Sequence, residues 1–222
     1  MIQRLLSSVL VLSFAATAAQ AGLRSPQIPV TGTALQSFFT AHGQAIDVSK
    51  DQLDLQTLSL PAGASIQVDA AVVSDPSTNG FGAYNAGATS PALYQVFPGA
   101  AATGWFSVMA FRATPTRMVV NLFDASSALQ GTNTYLGADP TNLGFYLQTS
   151  GGVFYSQDAR NSGARLLAFS GTGADGGDTW LAWETGAGPG GDYADSIWLL
   201  PFAFGPVPVS HTNWGTVKAR FR

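Results

Sequence analysis

There is no cysteine in this 222-residue chain, and only two histidines, His42 and His211. The first absence removes thiol catalysis, zinc–thiolate sites, iron–sulfur clusters and any disulfide framework. The second removes a three-histidine metal centre. It also leaves serine–histidine chemistry dependent on two imidazoles near opposite ends of the chain. Charge is scarce as well, at 10% of residues. A helical bundle uses Glu, Lys and Arg on its outer faces, so this composition does not suit one. Disorder is disfavoured because aliphatic and aromatic residues recur throughout. With no disulfide, stability must come from a packed core, with a bound metal as a further source.

Catalytic motifs are missing too. No Gly-x-Ser-x-Gly elbow and no His-Glu-x-x-His occur. The spacing Gly-x-Gly-x-x-Gly appears at Gly171, Gly173 and Gly176, and again at Gly186, Gly188 and Gly191. Neither copy opens a helical pattern, which a dinucleotide loop requires because the helix amino terminus binds the pyrophosphate. Both read as turns.

What is present begins with an export signature. Met1-Ile2-Gln3-Arg4 is a short basic start, Leu5 to Ala16 an apolar run, and Ala19-Gln20-Ala21 a small-x-small cleavage site. The apolar run is short for a membrane anchor, which takes about 20 residues. Residues 1–21 are therefore expected to be a cleaved signal, with Gly22 as the mature amino terminus. No later stretch is long and uninterrupted enough to span a membrane. Loss of Arg4 leaves 9 of the 10 basic residues against 13 acidic ones, a net charge of −4 (9 − 13). That balance argues against a nucleic-acid partner. The expected address is secreted or cell-surface.

The mature chain divides into an extended leader over 22–33, one domain over 34–205 and a tail over 206–222. In Ala34 to Ala41, Leu35, Phe38 and Phe39 fall at i, i+3 and i+4, the spacing of one helical face. Thr33 and Gln36 have the spacing of a capping box, and Gly43 is a terminator. Strand patterns follow at 65–72, 92–97, 105–111, 117–123, 143–148, 153–156, 165–169, 179–184 and 196–200. Turn-forming clusters separate most of them, such as the run from Asp75 to Gly80. The expectation is an all-β fold, an antiparallel β-sandwich or jelly roll with one short N-terminal helix.

The stretch richest in chemistry runs from Asp178 to Glu184, through a Gly/Pro loop, to Asp192-Tyr193-Ala194-Asp195 and on to Trp198. Paired as a hairpin, it brings Glu184, Asp192 and Asp195 to one mouth. Three carboxylates favour a hard cation with oxygen ligands, calcium above all. The alternative is ordinary turn chemistry, since Asp beside Gly forms turns and a Glu at a strand end is often merely solvated. A carboxylate pair from this set would also serve a glycoside hydrolase, although two acids on one hairpin are better explained by a cation. Five tryptophans, at 105, 180, 183, 198 and 214, raise a further alternative, a sugar-stacking platform. Trp180 and Trp183 are an odd number apart and so face opposite sides of a regular strand, which places one of them in the core.

The ordered segments Phe81-Gly82-Ala83-Tyr84, Val96-Phe97-Pro98-Gly99, Gly144-Phe145-Tyr146, Phe154-Tyr155-Ser156, Ala182-Trp183-Glu184 and Asp192-Tyr193-Ala194-Asp195 resemble domain-of-unknown-function family 4114 of exported bacterial proteins. The resemblance runs over roughly residues 35 to 200. It implies a β-sandwich and a calcium-binding role for the acidic hairpin, with Glu184, Asp192 and Asp195 on the family's acidic positions. Thr185, Gly190 and Ala194 depart from that pattern and remove two carboxylates and one amide from the implied set. Many relatives end in a sorting signal and a membrane helix. This chain has Pro206-Val207-Pro208 and a basic, aromatic tail instead, either a docking element or an ordinary exposed terminus. The functional expectation is a non-enzymatic surface or extracellular-matrix protein stabilised by calcium. A carbohydrate-binding module for cell-surface or matrix polysaccharide comes second, and a glycoside hydrolase third.

Overall fold

The computed structural model describes residues 21–61, 63–73, 80–114, 116–186 and 191–201. The expected signal, apart from Ala21, and the tail with its Trp214 lie outside them. One helix, α1 (Ala34–Ala41), precedes twelve strands. These are β1 (Gln52–Leu53), β2 (Ser65–Val73), β3 (Gly80–Asn85), β4 (Leu93–Phe97), β5 (Phe106–Ala113) and β6 (Thr116–Phe123). They continue as β7 (Leu129–Leu136), β8 (Leu143–Thr149), β9 (Gly152–Tyr155), β10 (Leu166–Ser170), β11 (Thr179–Trp183) and β12 (Ser196–Leu200).

The strands form two antiparallel sheets, one in the order β1-β10-β11-β12-β2-β5-β6-β7 and the other β4-β3-β8-β9. This is the expected all-β sandwich. Alternation along β2 turns Ile66, Val68 and Ala70 inward, where they meet Met109, Phe111, Met118 and Val120 of the same sheet and Phe81, Phe97 and Phe145 of the other. At the centre the Phe81 ring stacks on Trp198 at 4.4 Å, and Phe97 lies 4.7 Å from the same indole. The Trp198 indole N–H donates to Ser196 Oγ at 2.9 Å, so the buried donor is satisfied within the apolar core.

The helix forms a partial third layer. Leu35 and Phe39 are fully buried against Phe169, Trp180 and Ile197 on the outer face of β10, β11 and β12. Phe38 packs edge-on to Trp180 at 5.5 Å. The expected capping box does not form, because Thr33 makes no side-chain cap bond. Gln36 instead reaches out of the helix, donating to the Ile46 carbonyl at 2.8 Å and accepting from the Val48 N–H at 3.2 Å. A tertiary tie thus replaces a local one. Gly43 stops the helix as expected, at φ +68°. The leader lies along the sheet edge: Leu23 bridges Leu53, and the fully buried Gln52 side chain holds both backbone groups of Ile28.

Three strands carry no pattern in the sequence: β1, β3 and β7. β3 reads Gly-Phe-Gly-Ala-Tyr-Asn, a composition unfavourable to strands in isolation. Its glycines serve cross-strand packing. Gly82 pairs with Tyr146 and Tyr84 with Gly144, and each tyrosine ring lies over the opposite glycine. A Cβ on Gly82 would stand 2.5 Å from Tyr146 Cε1, and one on Gly144 2.6 Å from Tyr84 Cε1. Arg160 closes over the Tyr84 ring at 5.3 Å.

Candidate functional site

β11 and β12 pair as an antiparallel hairpin whose last pair is Trp183 with Ser196, so Glu184 and Asp195 stand at its mouth. Each of the three acids is engaged by backbone there. Glu184, 8% exposed, accepts from the Gly186 N–H at 2.6 Å through Oε1 and from the Tyr193 N–H at 3.3 Å through Oε2. Gly186 and Gly191 make room for this carboxylate, since a Cβ at either position would overlap it. Asp195 Oδ2 accepts from the Thr185 N–H at 2.8 Å and its hydroxyl at 2.7 Å. Asp192 accepts from the Ala194 N–H at 3.0 Å. Arg165 donates to the Gly186 carbonyl, and the buried Tyr193, at φ +52°, donates its hydroxyl to the Ala164 carbonyl.

The acids therefore organise the hairpin's backbone. Residues 187–190 of the connecting loop lie outside the described residues. Among the described residues no three His, Asp or Glu side chains are grouped as metal ligands. Three of the tryptophans, Trp180, Trp183 and Trp198, are core residues, and Trp105 is half-buried against the core. Trp183 and Trp198 are 0% exposed and Trp180 is 3% exposed. Trp180 and Trp183 do face opposite sides, but each side is a core: Trp183 lies between the sheets and Trp180 beneath α1. The sequence placed one of them in the core, and the helix layer adds the second.

A different surface gathers binding groups. The helix layer covers the outer face of the large sheet over β10, β11 and β12 and reaches Ala71 and Val72 at the end of β2. Strand register arranges the outer face of β2, β5, β6 and β7 in rows. One row runs Asp69, Phe106, Phe123, Leu129. The next, two residues along β2, β5 and β6 (three along β7, across its bulge) and about 7 Å away, runs Gln67, Val108, Asn121, Thr132. The Phe106 and Phe123 rings stack at 4.8 Å and 11°. Gln67 donates to Asp69 at 2.7 Å and Thr132 to Asn121 at 2.8 Å, which fixes the direction of these side chains. Burial beside Leu199 and Phe106 pushes the Asp69 carboxyl up to about 6. The Gln67 amide opposes that shift, and the charge of Asp178 adds to it.

The sequence showed β2 by its alternation and β5 and β6 as strand candidates. It did not show their adjacency, because β5 and β6 separate β2 from β7 only in the folded sheet order.

No protein-family model, curated protein or solved structure matches the chain. The resemblance to family 4114 is an expectation drawn from sequence motifs alone. Four of those, at 81–84, 96–99, 144–146 and 154–156, fall in or against β3, β4, β8 and β9, the whole of the small sheet. No helix among the described residues is long and apolar enough to cross a membrane.

Proposed function

We propose that this chain is an exported, non-enzymatic β-sandwich protein of the cell surface or matrix that holds a neutral polysaccharide on the outer face of β2, β5, β6 and β7. The observation that carries the reading is the half-buried Phe106 ring with a carboxylate, two amides and a hydroxyl in the same and the adjoining row. A pyranose presents an apolar C–H face and a rim of hydroxyls. The Phe106 ring takes the first, and Asp69, Gln67, Asn121 and Thr132 take the second, the division of labour usual in small-molecule sites. A half-exposed row of an aromatic ring, amides and a hydroxyl suits a neutral chain of sugars better than a charged ligand. Export supplies the setting, and the hydrogen-bonded acids at the hairpin serve the fold.

The test is affinity electrophoresis and sedimentation with soluble and insoluble neutral polysaccharides, using the chain from Gly22 to Arg222. Retardation by at least one glucan, mannan or xylan, lost in Phe106→Ala and in Asn121→Ala while thermal unfolding stays cooperative, supports the reading. No retardation by any of them, or retardation unchanged in both variants, overturns it.

A further inference from the structure

Among the described residues, the large sheet ends in an edge strand that lacks the usual protection. β7 is eight residues long, Leu-Gln-Gly-Thr-Asn-Thr-Tyr-Leu, with no charge and no proline, and all but Tyr135 are exposed. The other edges differ. β1 has two residues and is bridged by Leu23, while β4 has five and β9 four. Long uncharged edges are templates for another strand, and folded proteins ordinarily shorten, charge or cover them.

The unused hydrogen-bonding groups of β7 are specified by its pairing with β6. The Gly137 N–H donates to the Thr116 carbonyl, so 116 and 137 form a hydrogen-bonded pair. Such pairs alternate along an antiparallel ladder. With Arg117 opposite Leu136 and Asn121 opposite Thr132, residues 133 and 135 spend their backbone groups on β6. Thr132, Thr134 and Leu136 turn theirs outward. The same three residues have their side chains on the outer face, because their partners Asn121, Val119 and Arg117 do. Leu129, opposite Phe123 beyond a register shift, returns to that face.

We infer that β7 pairs antiparallel with β7 of a second copy, about a two-fold axis normal to the sheet at Asn133. Such an axis keeps the outer faces on one side. It sets Thr132 opposite Thr134 of the second copy in hydrogen-bonded pairs, contributing about four backbone bonds. It also brings Leu136 to the bulge at Leu129 and Gln130 of the second copy. Leu129 and Leu136 are 58% and 71% exposed, two of the three large apolar side chains so exposed among the described residues. Pairing covers both.

Charge agrees with this direction. The Leu136 end of the β6–β7 pair carries Arg117, with Arg112 of β5 on its far side and Asp139 in the turn after β7, a net positive end, and Arg117 Nε is buried without a hydrogen-bond partner among the described residues. The Leu129 end carries Asp124, in the turn between the strands. The two-fold places each basic end beside the other copy's acidic end, an arrangement a parallel pairing forbids. The outer faces of the two copies then become one continuous surface. The inference rests on the edge and stands whether or not that surface binds glycan.

Sedimentation velocity of the chain from Gly22 to Arg222, between about 5 µM and about 500 µM, tests it together with two double variants. The wild type should pass from monomer to dimer as concentration rises. Thr132→Lys with Thr134→Lys sets lysine opposite lysine and should remain monomeric. Thr132→Glu with Thr134→Lys sets glutamate opposite lysine and should dimerise at least as well as the wild type. A wild type that stays monomeric throughout, or two double variants that behave alike, overturns the inference. Cooperative unfolding of both double variants excludes misfolding as the cause.

Discussion

Asp69→Asn should stabilise the protein at neutral pH and leave it unchanged near pH 4. The carboxyl titrates at about 6 in the fold against an ordinary 3.8, chiefly because it is buried in the row between Leu199 and Phe106. Its folded value lies above its unfolded one, so the fold disfavours the charged form. Below about pH 4 both states hold the proton and the residue contributes nothing to the pH dependence. Between about 4 and 6 the unfolded chain releases the proton first, and stability falls as pH rises. Above about 6 the whole cost is in force. At about 1.4 kcal/mol per tenfold change in acidity, the difference corresponds to about 3 kcal/mol, reduced to about 2 kcal/mol by partial contact with water. Asparagine keeps an oxygen to accept from Gln67 and removes the charge. Guanidinium unfolding followed by the fluorescence of the buried tryptophans, at pH 4, 5, 6 and 7.5, reads the difference directly. The variant should gain about 2 kcal/mol at pH 7.5 and less than about 0.5 kcal/mol at pH 4. A difference that is constant across pH, or a variant less stable at 7.5, refutes the reasoning.

Gly144→Ala would drive a Cβ into the fully buried Tyr84 ring, and since neither the ring nor the β3–β8 backbone has room to move, about 3 kcal/mol should be lost. Urea unfolding checks this, and a cost under about 1 kcal/mol would mean that the tyrosine can swing away. Because loop N–H groups already hold Glu184, Asp192 and Asp195, the melting midpoint should be the same in excess calcium and in chelator. A folded-state ligand at a hundredfold excess over its Kd would add about 2.7 kcal/mol. A rise of that size, lost in Asp192→Ala or Asp195→Ala, would assign the hairpin to a cation instead.

Local residue chemistry wrote much of this fold into the chain. The helix over Ala34–Ala41 and its stop at Gly43 follow from the spacing of Leu35, Phe38 and Phe39 and from a glycine able to take a positive φ. The strand over Ser65–Val73 follows from the alternation of Ile66, Val68 and Ala70. The pairing of β11 with β12 follows from a glycine-rich loop between two apolar runs. Each depends only on neighbours within a few residues, which is the range a sequence pattern reports.

What the tertiary structure decided depends on who lies across the sheet. β3 is a strand because Tyr146 and Tyr84 cover its glycine and that of β8. β7 is a strand because β6 pairs with it, although neither of its faces is apolar enough to announce one. Trp180 is core because α1 folds back over it. The acids at 184, 192 and 195 read equally as ligands or turn formers until their N–H donors have positions. Phe106 and Phe123 meet, with Asp69 and Asn121 beside them, only because β2, β5, β6 and β7 are neighbours in one sheet. Periodicity tells which face a residue takes, but the order of strands is chosen by packing between segments far apart in sequence, and the binding surface proposed for this protein is made by that order.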